Sequence, residues 1–265
     1  YTPPVPFKRL TLCGLLLLAV STKGESLVSD YSTWKYLEGT KEASDPPTAW
    51  RALDFDDARW REGRSGFSIG FGDYDAPTRL WGMPRVYPSL FLRKKFTLED
   101  TGWIQSLVMR VDYDDGFVAY LNGVKVAHAN APDTLAWNSK ATTGHTDSEA
   151  VEYQAFSLSR HIRRLKKGKN ILAIHGLNIS NTSSDFLIQP RLRGGLGGGE
   201  SIVNYFDRLL FQESLSGEQR EILLNFVNSN IVGRPKKLDP ASTTYLRQVQ
   251  ELVGLILSMP QWQFQ

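Results

Sequence analysis

The stretch VAYLNGVKVA at 118–127 leaves the chain little conformational choice. Asn122 and Gly123, both able to adopt positive φ, separate two runs rich in β-branched and aromatic residues. That arrangement predicts a type I′ hairpin joining Val118–Leu121 to Val124–Ala127. Once antiparallel pairing is fixed there, the surrounding chain must supply more sheet. Residues from about Ser32 to Leu192 do so: short apolar runs alternate with Gly, Pro, Asn and Asp clusters. The clearest further strands are Tyr87 to Phe96, Leu107 to Val111 and Ile171 to Leu177. No long segment of this region has helical period, so the expected class is mainly β, a sandwich.

After Leu192 the pattern changes. Residues 193–201, with the run GGLGGGES, read by composition as a flexible linker. Beyond it, 202–265 reads as a helical tail. A first helix is expected at 202–211. Ser216 with Gln219 forms a capping box for a second, which presents Ile222, Leu223, Phe226 and Val227. Asp239-Pro240 opens a third, whose stripe is Leu246, Val249, Leu252, Val253, Ile256 and Leu257.

The N-terminus carries a different signal. Lys8 and Arg9 precede an apolar run from Leu10 to Val20, and Ala19 and Ser21 stand where a signal peptidase reads. Residues 1–21 are read as a secretory signal peptide, too short to span a membrane. The expected location is secreted, periplasmic or extracellular. Cys13, the sole cysteine, leaves with that segment, so thiol and disulfide chemistry are not expected. Losing Lys8 and Arg9 takes two from a formal charge of +3, and nucleic acid is not an implied partner. The basic run RHIRRLKKGKN at 160–170 is either a solvated turn or a patch for an anionic glycan or a membrane surface.

Several stretches together carry a resemblance. WKYLEG (34–39), LDFDDARW (53–60), GFSIGFGD (66–73), YPSLFLRKKF (87–96), VDYDDGFVAYLNGVKV (111–126), GKNILAIHGLN (168–178) and SSDFLIQPRL (183–192) occur in this order. Over roughly 32–192 the chain resembles a galactose-binding-like jelly-roll domain. It is similar to the sugar-binding domains of β-galactosidase-type hydrolases and to accessory domains of large secreted bacterial proteins. The resemblance implies a jelly-roll β-sandwich, usually non-catalytic, whose end loops bind carbohydrate and hold a structural calcium; with the helical period beyond 202, the expected fold is that sandwich with a small helical tail. The ending LVGLILSMPQWQ is similar to the C-terminus of a large uncharacterised secreted bacterial family.

The candidate chemistry lies in loops. VDYDDG at 111–116 places Asp112, Asp114 and Asp115 like the opening of a calcium loop. It is no EF-hand, because strands flank it and the twelfth position is Gly123. The alternative is a turn shaped by Asx-type hydrogen bonds. Adjacent carboxylates do not by themselves make a glycosidase pair, which needs a sugar's width between them. No His-Glu-x-x-His occurs, and His128, His145, His161 and His175 lack metal-ligand spacing. His175 is expected to be a strand residue satisfied by a hydrogen bond. An enzyme is therefore not expected. Tyr74, Trp81 and Trp137 fall in predicted loops and suit stacking on a sugar face. Trp34, Trp50 and Trp60 fall in packed contexts and read as core. The leading expectation is a secreted, non-catalytic, carbohydrate-associated module whose partner is a glycan or another secreted protein. The alternatives are a protein-interaction scaffold, or an accessory domain of a secreted hydrolase whose catalytic domain is absent.

Overall fold

The alternating pattern yields short strands between Ser26 and Gly195 in a computed structural model. The structure describes residues 26–71, 76–212, 215–229, 238, 242 and 244–258. The leader read over 1–21, Tyr74 and the Asp239-Pro240 helix start lie outside them. The strands are β1 (Ser26–Val28), β2 (Thr33–Glu38), β3 (Arg61–Arg64), β4 (Phe67–Ile69), β5 (Thr78–Arg79) and β6 (Ser89–Leu98). They continue as β7 (Ser106–Asp114), β8 (Gly116–Leu121), β9 (Val124–Ala129), β10 (Gln154–Ser157), β11 (Gly168–Leu177) and β12 (Phe186–Gly195).

Two sheets form the β-sandwich. One runs β10-β7-β12-β4-β5 with β1 added on β12, the other β3-β2-β6-β11-β8-β9. From β6 onward the chain passes repeatedly between the sheets, as the jelly-roll reading expects. Strands β6 and β11 pair antiparallel from Ser89↔Leu177 to Leu98↔Gly168. Their even-numbered side chains face the opposite sheet. A Cβ at Gly176 would lie 2.9 Å from the Phe186 ring, and the tilted rings of Tyr36 and Phe67 meet across the interior at 5.3 Å.

The hairpin is as the sequence reads. Asn122 and Gly123 have φ of 49° and 86°, and β8 pairs with β9 up to Leu121↔Val124. A Cβ at Gly123 would meet only the Arg51 carbonyl oxygen, 4.0 Å away. Gly123→Val therefore costs backbone strain without a clash. An expected loss of about 1–2 kcal/mol follows from the left-handed conformation, and urea denaturation will measure it.

Sheet β3-β2-β6-β11-β8-β9 is buried on its second face too, which explains why all six residues of β8 are inaccessible. Trp50, Trp60, Phe91, Val118, Tyr120, Ile171 and Ala173 pack there, with Phe55, Leu135 and Trp137 at the margin. Trp34, Trp50 and Trp60 are all core, as expected. The cover is held by Arg93, whose guanidinium would otherwise be stranded. It binds the Asp57 carboxylate at 2.8 Å, the carbonyls of Ala52 at 2.9 Å and Phe55 at 3.4 Å, and the carbonyl of Trp50.

A second compact unit comprises Gly102–Leu107 and Gly194–Gln265, the strand-rich unit being Ser26–Thr101 with Val108–Arg193. Its helices are α1 (Gly199–Phe206), running into a π-helical turn over Asp207–Phe211, α2 (Gly217–Val227) and α3 (Tyr245–Ser258). The glycine-rich run is not a flexible linker. Gly194 and Gly195 end β12, and Gly199 opens α1, where a Cβ would sit 2.6 Å from a methyl of Val227. These glycines permit close packing, and Tyr245 donates to the Gly197 carbonyl at 2.9 Å. The Ser216/Gln219 capping box is present, with bonds of 3.2 and 2.8 Å. Leu223 and Val227 are buried as expected, but Ile222 and Phe226 are exposed, so the buried stripe of α2 is narrower than the sequence suggests. On α3, Val249, Leu252, Val253 and Ile256 are buried, Leu257 is half-buried, and the Leu246 side chain lies outside the described residues. No described helix is long and apolar enough to cross a membrane.

Candidate functional site

The acidic turn between β7 and β8 brings Asp114 and Asp115 to one end of the sandwich, and both are buried. Asp115 binds distant segments together. Its Oδ1 accepts the His145 amide at 3.0 Å and its Oδ2 the Ile179 amide at 2.6 Å. Its backbone carbonyl accepts from Asn130 Nδ2 at 2.8 Å, and its own amide donates to Leu177 at 3.1 Å. Each carboxylate oxygen is thus used within the fold. Next to it, Tyr113 and His145 stack at 4.3 Å. His145 Nδ1 donates to the Tyr113 carbonyl at 2.7 Å, and Nε2 accepts from Gln154 at 3.0 Å. The Tyr113 hydroxyl closes the ring of bonds on Gln154 Oε1 at 2.9 Å.

Asp114 is the electrostatic anomaly. Burial, a hydrogen bond with Asp115 and the charges of Asp115, Asp185 and Asp147 push its pKa from 3.8 up to about 9. Its folded state therefore holds a proton that the unfolded chain gives up. The stabilisation is fully present below pH 4 and is lost as pH rises through 9. Asp114→Asn, which mimics the protonated acid, is expected to stabilise the protein at pH 8 by at least about 1.4 kcal/mol, the equivalent of one pKa unit. It is also expected to flatten the fall of Tm between pH 5 and 9 seen in the wild type. Scanning calorimetry at both pH values checks this.

A hydrogen-bonded carboxyl pair leaves no room for a sugar between the two groups, so the geometry is not that of a glycosidase dyad. Asp112 is also buried on β7 and acts on the Tyr153 hydroxyl. Among the described residues, no three His, Cys, Asp or Glu side chains come together as a set able to hold a metal ion, Asp112, Asp114 and Asp115 included.

His175 is a strand residue of β11, as expected, but it lacks the expected hydrogen bond: its Nε2 has no partner among the described residues. The ring stacks on Phe91 at 4.1 Å, and burial, with Arg51 nearby, holds its pKa at about 3. It is a neutral member of the aromatic layer.

The aromatic candidates separate. Trp81 projects into solvent, 76% exposed, from the turn after β5. A Cβ on the following Gly82 would lie 4.0 Å from Glu38 Oε1, and that same oxygen is bound by Arg61 at 2.6 Å. Trp137 is half-buried against the aromatic layer. Its amide donates to Glu42 at 3.3 Å and its carbonyl accepts from Ser89 Oγ. Trp81 is thus exposed, one residue before the glycine that approaches Glu38, whereas Trp137 is mostly engaged in packing. The sequence reading missed Glu38 and Arg61, since nothing local shows that they meet across 23 residues.

No family model matches the chain. No curated protein matches it. Among solved structures it is similar to β-glucuronidase 2 of Bacteroides uniformis, at 19% identity and TM-score 0.41, covering 64% of this chain and 18% of that one. It is also similar to a family 2 glycosyl hydrolase of Bacteroides cellulosilyticus, at 14% identity and TM-score 0.36, covering 65% and 20%. A β-glucuronidase of Ruminococcus gnavus matches at 12% identity and TM-score 0.38, covering 66% and 29%. The chain thus corresponds to less than a third of each of these proteins.

Proposed function

We propose that the chain is a secreted, non-catalytic β-sandwich module that binds carbohydrate through Trp81. The observation that carries this reading is the exposed Trp81 indole, in a turn whose next residue, Gly82, approaches the Glu38–Arg61 pair. An exposed indole offers a flat apolar platform with a polar N–H edge, and a pyranose presents an apolar face of matching size. Glu38 and Arg61 supply an acceptor and donors for the hydroxyls around such a ring, the usual division between an apolar platform and a few polar groups. The carboxyls of the acidic turn support a non-catalytic role, because they are buried and bonded to each other and to backbone amides.

Affinity electrophoresis through gels holding neutral galactan, xylan or mannan tests the proposal. The wild-type chain is expected to be retarded by at least one of them, and Trp81→Ala to run as if in an empty gel. Equal retardation of the two proteins, or none with any polysaccharide, overturns it, as does turnover of model glycosides by the chain.

A further inference from the structure

We propose that the cleft between β9 and β10 is a second ligand site, one that takes an acidic polysaccharide bearing carboxylate or sulfate groups. These two strands are outer edges of opposite sheets, so the sandwich gapes between them. The cleft has a volume of about 500 Å³ and is lined by Lys125 and His128 from β9, by Ala155, Phe156 and Ser157 from β10, and by Arg160. That volume lies within the range of small-ligand pockets, roughly 300–1,000 Å³. Half-buried Phe156 offers an apolar floor, and Lys125, His128 and Arg160 are exposed at the rim.

The charge here is one-sided. No Asp or Glu occurs between residues 116 and 132, or between 153 and 184. Arg160 begins a basic stretch that continues through Arg163, Arg164, Lys166 and Lys167, all exposed. Neither these residues nor Lys125 is ion-paired among the described residues. The stretch is fixed in place: Asn122, at the hairpin tip, donates to the Arg164 carbonyl at 2.7 Å. Positive charge therefore extends from the cleft to the tip of the hairpin, a path suited to an extended polyanion. The field is felt locally. His161 has its pKa lowered by burial and then by Arg160 and Arg164.

Other readings account for less. A charged edge strand blocks edge-to-edge pairing, which explains Lys125 but neither the concavity nor the basic stretch. A membrane-surface site would offer exposed apolar side chains to insert, and among the described residues none of the large exposed hydrophobics lies on β9, on β10 or in 159–169. A single-strand nucleic-acid site would offer exposed aromatic platforms, and among the described residues that line the cleft the only aromatic ring besides His128 is the recessed Phe156.

The test is isothermal titration of the full chain with polygalacturonate fragments in one arm and dextran sulfate in the other. At least one is expected to bind. Lys125→Glu/Arg160→Glu is expected to weaken that binding at least about tenfold, and raising NaCl from about 0.05 to 0.5 M to weaken it comparably. Both replaced side chains are exposed, so an unchanged Tm confirms that the variant is folded. Trp81→Ala is expected to retain the acidic-polysaccharide binding, which separates this site from the one proposed above. Undiminished affinity in the double variant overturns the proposal, as does failure of both polyanions to bind. Tighter binding to phosphatidylserine vesicles or to single-stranded DNA than to either polysaccharide also overturns it.

Discussion

Arg93→Ala is expected to cost about 3–5 kcal/mol of folding stability, the range for removing one partner from a buried ion pair. The guanidinium is fully buried on β6, and the segment from Trp50 to Asp57 is folded around it. Its loss strands the carbonyls of Trp50, Ala52 and Phe55 and leaves Asp57 with Lys95 alone, at 3.0 Å. Burial by itself would raise the pKa of Asp57, but the hydrogen bonds and charges of Arg93 and Lys95 outweigh it and hold the pKa below 3.8. That contribution is present above pH 4 and is lost as pH falls through the lowered pKa. The variant is therefore expected to lose part of the acid sensitivity of the wild type. Arg93→Lys, which cannot form the same fork, is expected to recover only a fraction. Urea unfolding followed by tryptophan fluorescence reads the effect through Trp50 and Trp60. A loss below about 1 kcal/mol would mean that the covering segment is held by its apolar contacts instead.

The second large effect is expected at Asp115. Replacing it with Ala removes the acceptors of two backbone amides, those of His145 and Ile179. Buried donors left without partners cost about 1–3 kcal/mol each, so a loss of about 3 kcal/mol or more is expected. Asp115→Asn keeps one acceptor oxygen and should lose roughly half as much. Removing the charge of Asp115 also relieves Asp114, so the alkaline loss of stability is expected to shrink in both variants. A double-mutant cycle of Asp115→Asn with Asp114→Asn should then show non-additivity, because the two carboxyls share a hydrogen bond. Simple additivity would contradict the pairing.

These residues also show what the sequence makes legible. The hairpin could be read because its determinants, Asn122 and Gly123, are adjacent and act through their own backbone. The aromatic core could be read because Trp34 lies in a strand-like run and Trp50 and Trp60 in packed apolar contexts. Asp114 and Asp115 could be read as a turn, but not as a fastener, since Asp115 reaches an amide 64 residues away. Arg93 sits in the run LRKKF, which looks like a charged edge, and only the tertiary cover over β6 turns its position into an interior one. The run around Gly195 to Gly199 looked like a linker because composition does not separate glycine used for flexibility from glycine used for close approach. Its packing partner, Val227, comes from a helix far along the chain. At the proposed sugar site, Trp81 is legible as a loop aromatic, while Glu38 and Arg61 meet only through the pairing of β2 with β3. The cleft at the sheet edges was legible only in part. The basic run stands out in the sequence, but β10 is short and its place opposite β9 is a matter of sheet order.

The most direct test of carbohydrate recognition at Trp81 is an NMR titration that follows the indole N–H signals of the seven tryptophans as neutral oligosaccharide is added. The Trp81 signal is expected to move with saturating ligand while those of buried Trp34, Trp50, Trp60 and Trp103 stay in place. A titration in which the ligand binds but the Trp81 signal does not respond, or in which the buried tryptophans shift instead, would contradict the account.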